Sequence, residues 1–147
     1  MNTLHTMLKI RAEKTPDLEA LVGGSTRYSF QMYNERVNQL AHYLLENGIQ
    51  KGDRVAIMCK NNHPFPTIMM AALCIGAIVV PLNLTYSSYE LEGILNTSKP
   101  KILFYDQEFA NALPKNDLLP TSILIGIGMD TSTAFEEIFS GNYTSSP

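Results

Sequence analysis

Between Ser29 and Asn47 the apolar residues Phe30, Tyr33, Val37, Leu40, Ala41, Leu44 and Leu45 recur at helical spacing, and Gln31, Asn34, Glu35, Asn38 and Glu46 fall elsewhere. Such spacing gathers one apolar stripe on a helix, with Ser29 as its cap and Gly48 as its stop. The pattern then changes. Val55 to Cys59 is an unbroken apolar run behind the turn residues Gly52 and Asp53, Pro64 opens an apolar segment that reaches Gly76, and Pro81 closes the β-branched run Ile78 to Val80. Turn, buried strand, helix and second buried strand make a βαβ unit, whose strands are parallel with a right-handed crossover. The helix from Phe65 to Ile75 carries Ile68, Met69, Met70, Leu73 and Ile75 nearly all round, a distribution that predicts neighbours on most sides.

Elements of the same kinds flank this unit. Thr3 can cap a helix with Leu4, Met7 and Leu8 on one side, stopped by Lys14-Thr15-Pro16-Asp17. Glu19 to Val22 and Arg27 to Ser29 form a hairpin around Gly23-Gly24-Ser25. Ser87-Ser88-Tyr89-Glu90 has the form of a capping box, opening a helix with Leu91, Ile94 and Leu95 that Ser98-Lys99-Pro100 ends. Ile102 to Tyr105 reads as a third buried strand, Phe109 to Leu113 as a helical turn or two, Ile123 to Ile127 as a fourth strand, and Phe135 to Phe139 as a short helix. Strands alternating with helices predict an α/β fold, an open and largely parallel sheet with flanking helices. The organisation is one domain over residues 1–147, with an N-terminal helix and hairpin over 1–30 and a loop tail over 141–147.

The chain has 147 residues, 45% of them hydrophobic, which suffices for one domain with a real core. A net charge of −3 and a pI of about 5.5 exclude the basic footprint of a nucleic-acid binder. The longest apolar run, Ile68 to Leu82, is broken by Gly76 and Pro81 and falls short of the roughly 20 residues of a spanning helix. Met1 to Thr6 shows no basic region followed by an apolar core, so no signal peptide is expected, and Cys59 and Cys74 read as reduced core thiols of a cytoplasmic protein.

Candidate chemistry is sparse. Gly126-Ile127-Gly128 follows a strand, but the third glycine of a dinucleotide fingerprint is absent and no long helix follows, so a turn is the better reading. His5, His42 and His63 lie far apart, as surface or helix-end residues rather than ligands. Asp53-Arg54 reads as a charged turn before a strand rather than an ion pair at a site. The sequons Asn83-Leu84-Thr85, Asn96-Thr97-Ser98 and Asn142-Tyr143-Thr144 carry no meaning without a secretory route. Tyr86 and Tyr89 flank the end of the second strand, where open α/β sheets place ligands, though helix entry and core packing explain them as well. Composition, spacing and motif give an α/β domain without an identifiable active centre: no catalytic, cofactor-binding or metal residue is assigned.

A resemblance adds to this reading. Tyr28-Ser29-Phe30, Leu40-Ala41-His42-Tyr43-Leu44 and Gly48-Ile49-Gln50-Lys51-Gly52-Asp53-Arg54-Val55-Ala56-Ile57 are similar to the opening signature of the AMP-forming acyl-CoA synthetases. This adenylating superfamily also holds aryl-CoA ligases, luciferases and the adenylation domains of peptide synthetases. Asn61, Phe65, Gly76-Ala77, Pro81-Leu82-Asn83, Glu90-Leu91 and Pro100-Lys101-Ile102-Leu103 extend the similarity in order and spacing, from about Leu4 to Asp106. Pro64 stands where a glutamate is frequent and Arg27 where a threonine is, which leaves the subfamily open.

The resemblance implies a two-step reaction. A carboxylate attacks the α-phosphate of Mg·ATP to give an acyl-adenylate and pyrophosphate, and a thiol, usually CoA, then takes the acyl group. Charge built up in such a step needs a phosphate-cradling loop, a metal and a cationic residue. The family supplies them with a Ser/Thr/Gly-rich loop ending in Pro-Lys, a Tyr-Gly-x-Thr-Glu segment, an aspartate on the ribose and a mobile C-terminal lysine. None of the four stands in this sequence; Tyr143-Thr144-Ser145 resembles the lead-in to the loop, but no Gly-Thr-Thr-Gly follows. The expectation is therefore a scaffold layer, roughly the first quarter of such an enzyme and inactive alone, with ATP, Mg2+ and CoA belonging to the whole. Such a piece is expected to self-associate through uncovered apolar surface. Two other readings stay open: a stand-alone interaction module, and a small flavodoxin-like domain with a nucleotide at its sheet edge.

Overall fold

The computed structural model describes residues 4–23, 26–60, 64–114, 123–128, 134–140 and Pro147. Helix α1 (Leu4–Lys14) leads to an antiparallel hairpin of β1 (Glu19–Gly23) and β2 (Thr26–Ser29). Helix α2 (Phe30–Glu46) feeds β3 (Arg54–Met58), then α3 (Pro64–Cys74), β4 (Ile78–Pro81), α4 (Ser88–Ser98) and β5 (Ile102–Asp106). A 3₁₀ turn (Gln107–Ala112), β6 (Ile123–Ile127), α5 (Ala134–Glu137) and a last 3₁₀ turn (Ile138–Ser140) complete the chain. The central sheet has four strands in the order β4-β3-β5-β6, all parallel. Ala56 stands opposite Val80 on one side and Leu103 on the other.

Strand pleating divides the core. Val55, Ile57, Ile102 and Phe104 enter the larger cluster with Val37, Leu40 and Leu44 of α2, Ile68 of α3 and Phe135 of α5. Ala56, Met58 and Leu103 face the other way, onto Leu91 and Leu95 of α4. Strands buried on both faces read as continuous apolar runs, which is why β3 and β5 are plain in the sequence.

The helix ends have the expected chemistry. The Ser29 hydroxyl accepts from the Met32 N–H at 3.2 Å, and Gly48 takes φ 82° past the end of α2. The box at α4 is reciprocal: Ser87 Oγ accepts the Glu90 N–H at 3.2 Å and Glu90 Oε1 accepts the Ser87 N–H at 3.3 Å. Lys99 then turns left-handed at φ 45°.

Three expectations need correction, while the neighbours expected around α3 are present. β4 is an edge strand rather than a buried one, with Ile78 50% exposed, because it pairs with β3 alone. On α2, Leu45 is exposed while Asn38 is buried, since the stripe centres on Tyr33, Val37, Leu40 and Leu44. Helix α3 finds its neighbours within the chain, burying Thr67, Ile68, Met70, Ala71 and Ala72 and leaving Leu73 45% exposed. The 3₁₀ turn begins at Gln107, before Phe109. The Thr3 cap, the Gly24-Ser25 tip, Asn61, His63 and residues 141–146 lie outside the described residues.

Candidate functional site

The stretch that carries the family signature builds the amino edge of the sheet, the edge away from where open parallel sheets bind ligands. Gly52 (φ 87°) donates its N–H to Gly76 O at 2.9 Å, and Ile78 N–H donates to Asp53 O at 2.7 Å. Asp53 Oδ2 accepts the Gln50 N–H at 2.7 Å and pairs with Lys101 Nζ at 3.0 Å. The Gln50 N–H and then Lys101 hold the Asp53 carboxyl below its ordinary range. Asp53 thus closes a turn and ties β3 to the start of β5.

At the carboxyl edge the strand order changes direction between β3 and β5, since the chain goes from β3 outward to β4 and returns to the other side for β5. Such a switch point is the standing place for a ligand crevice. Here Lys60, Asp106 and Glu108 meet, with the side chains of Lys60 and Glu108 more than half exposed. The Lys60 N–H donates to Asp106 Oδ2 at 2.7 Å and Lys60 Nζ pairs with Glu108 Oε1 at 2.6 Å. Burial raises the Asp106 pKa, with the Lys60 N–H opposing, and the hydrogen bond to Glu108 raises that of Lys60. Beneath them Cys59 is pushed up to about 12, by burial first and then by Asp106, so it offers no thiolate at neutral pH.

The helix beside this crevice is a poor anion site. A phosphate at a helix start is held by free backbone N–H groups, and α3 begins Pro64-Phe65-Pro66, two of whose three residues have none. The Pro-x-Pro spacing of Pro64 and Pro66 is readable in the sequence. Gly126 serves packing, since a Cβ there would stand 3.1 Å from Gln107 Nε2 and 3.2 Å from its Cγ. Among the described residues no three His, Cys, Asp or Glu side chains could hold a metal ion. The described residues do not fit Mg·ATP.

The remaining candidates scatter. Asn83 Oδ1 accepts the Thr85 N–H at 3.0 Å, making an Asx turn after β4. Tyr86 packs on the smaller core, whereas Tyr89 is 85% exposed; both line a shallow depression along α4. His42 lies on α2 and the His5 side chain is outside the described residues. Cys59 is buried and Cys74 half-buried, both as free thiols. No described helix is long and apolar enough to cross a membrane.

One cation is buried deliberately by its neighbours. Arg36 of α2 lies over the rings of Tyr28 at 4.6 Å and Phe139 at 3.7 Å and bonds both Glu136 oxygens at 3.3 and 3.4 Å. Gln39 Nε2 donates to Phe139 O at 3.2 Å. These contacts fasten residues 134–140 across α2.

Comparison with known proteins places this geometry. YdaB of Bacillus subtilis (strain 168), provisionally named an acyl-CoA ligase, is 41% identical over 145 residues, covering 96% of this chain and 29% of its own length. Malpinin synthetase of Mortierella alpina is 36% identical over 113 residues, 77% of this chain and 2% of its own. The crystal structure of the N-terminal domain of FACL13 from Mycobacterium tuberculosis superposes with a TM-score of 0.86 at 29% identity, covering all of this chain and 37% of that one. The chain thus spans under a third of the length of YdaB. The family model described as AMP-binding enzyme matches residues 8–142, so the chain belongs to the AMP-binding enzyme family.

Proposed function

We propose that this chain is the N-terminal scaffold layer of an ATP-dependent, AMP-forming acyl-CoA synthetase and forms no adenylate by itself. The observation that carries the reading is the family match over residues 8–142 in a sequence with none of the four segments that hold the phosphates, the ribose and the transferring charge. ATP, Mg2+ and CoA are then ligands of the whole enzyme, and its other segments are this chain's partner. Free thiols at Cys59 and Cys74 suit a reducing, cytoplasmic setting.

Pyrophosphate release by the 147-residue chain, with ATP, magnesium and a panel of fatty and aryl acids, is expected to stay at background. Turnover with any acid overturns the reading. The proline-capped start of α3 disfavours the flavodoxin-like alternative, so neither ATP nor FMN should raise the melting temperature. A reproducible rise would restore that alternative.

In isolation the chain has a second partner, its own copy. Met7 and Ile10 on α1 are exposed apolar side chains that could pair with a second copy. Sedimentation across micromolar concentrations is expected to show reversible association, and a strictly monomeric species would mean that the chain closes its own core.

A further inference from the structure

The amino edge of the sheet carries a charge opposite to that of the molecule. Lys51, Arg54, Lys99 and Lys101 all lie there, on a chain of net charge −3. They are neighbours by construction: Lys101 N–H donates to Arg54 O at 3.0 Å, Lys99 is the C-cap two residues before it, and the Lys51 stem lies over Gly76. Among the described residues the carboxylates at this end are Glu46 and Asp53, and Asp53 is committed to Lys101 at 3.0 Å. Among the described residues Lys51, Arg54 and Lys99 have no ion-pair partner. Helices α2, α3 and α4 also end at this edge, and cations offset the partial negative charge of helix C-termini. That accounts for Lys99, and the ion pair with Asp53 accounts for Lys101, but neither accounts for Arg54, which opens β3.

The same end exposes aliphatic side chains. Leu45 closes α2, Leu73 closes α3 and Ile78 opens β4, each 43–50% exposed. We propose that this end of the molecule is a docking surface for a lipid bilayer with anionic headgroups. Dispersed aliphatic tips ringed by long cationic stems suit a bilayer, which accepts separate apolar insertions while the charged heads stay in the headgroup layer. An acidic peptide would need a groove, and the depression described on this chain lies along α4 instead. The inference does not depend on the synthetase reading and is tested without turnover.

Flotation of the 147-residue chain with vesicles of phosphatidylcholine, with and without phosphatidylglycerol, measures it directly. Binding is expected only with the anionic lipid and is lost at high salt. Lys51→Gln and Lys99→Asn, the latter keeping a residue that tolerates the left-handed turn, should each weaken it about fivefold. Leu73→Ser should weaken it as well, whereas Lys14→Gln at the far end of α1 should leave it within about twofold. Circular dichroism establishes that each variant is folded. Equal binding to neutral vesicles, no binding to either, or an equal loss in Lys14→Gln overturns the proposal. So does a dimer of the chain that Lys51→Gln and Leu73→Ser dissolve without any vesicle binding.

Discussion

Gly48 and Gly76 show how one backbone requirement differs in cost by what surrounds it. Both take positive φ, 82° and 78°, but a Cβ at Gly48 meets open space while one at Gly76 stands 2.9 Å from Lys51 Cγ. Gly48→Ala is expected to cost about 1–2 kcal/mol from the left-handed conformation alone. Gly76→Ala should cost about 1 kcal/mol more, because the Lys51 stem must leave its rotamer. Urea unfolding checks both, and in a Lys51→Ala background the two costs should converge. A Gly76→Ala cost unaffected by Lys51 would mean that the lysine is not what closes the site. Cys59 gives the residue scale its pH dependence. Its folded pKa is about 12 against an ordinary 9.0, so the folded chain keeps a proton that the unfolded chain releases. Stability is therefore unaffected below pH 9.0 and falls as pH rises from there toward about 12. Tyr33, pushed up to about 12 by burial, adds a fall of the same sign above 10.0. Within its window each group removes up to about 1.4 kcal/mol per pH unit. Cys59→Ala should flatten the alkaline limb of stability against pH and leave the neutral region's slope unchanged. An unaltered alkaline limb would show that Cys59 does not titrate there.

At the scale of elements, what was legible in the sequence was local. Helix α2, the capping box at α4 and the doubly buried strands β3 and β5 announce themselves because periodicity and cap chemistry are set within a few residues. The edge position of β4 is not legible for a physical reason: a β-branched run closed by proline reads alike whether one edge or both are paired. Its edge position makes Pro81 cheap. Ile78 and Leu82 direct their N–H groups to β3, at 2.7 and 2.8 Å, so the alternation turns the nitrogen of Pro81 outward, where no ladder bond is lost. That leaves Val79 as the one outward donor of the strand and blunts it against edge pairing. The carboxyl edge was illegible by contrast. Lys60 and Asp106 are 46 positions apart, and nothing local to either marks the other as its partner. The signature residues Gly52, Asp53, Gly76 and Lys101 pointed correctly to a family, yet in the fold they are joints at the edge away from the ligand side. A family can be readable through its scaffold when its chemistry is elsewhere.

At the scale of the whole molecule the question is what holds the last described segment to the first helices. Residues 134–140 cross α2 on one cation held by two ring faces and a carboxylate, with the Gln39–Phe139 hydrogen bond beside it. The Arg36 side chain is 12% exposed and that of Glu136 23%, so water screens the pair little. Phe135, fully buried, stacks edge-on with Phe104 of β5 at 5.9 Å and with Phe139 at 5.1 Å, which extends the fastening into the core. Arg36→Ala removes the stacking and leaves Glu136 half-buried without its partner, for an expected loss of about 2–4 kcal/mol. Arg36→Lys keeps the charge but not the flat guanidinium between two rings, and should fall between wild type and alanine. Hydrogen exchange distinguishes a local fastening from a general weakening. Amides of residues 134–140 should lose protection in Arg36→Ala well before those of β3, because only the Gln39–Phe139 hydrogen bond then remains as a described polar tie between that segment and α2. Equal loss in β3 and in 134–140 would mean that the segment and the sheet open together, and that Arg36 supports the whole core rather than the path of the chain across it.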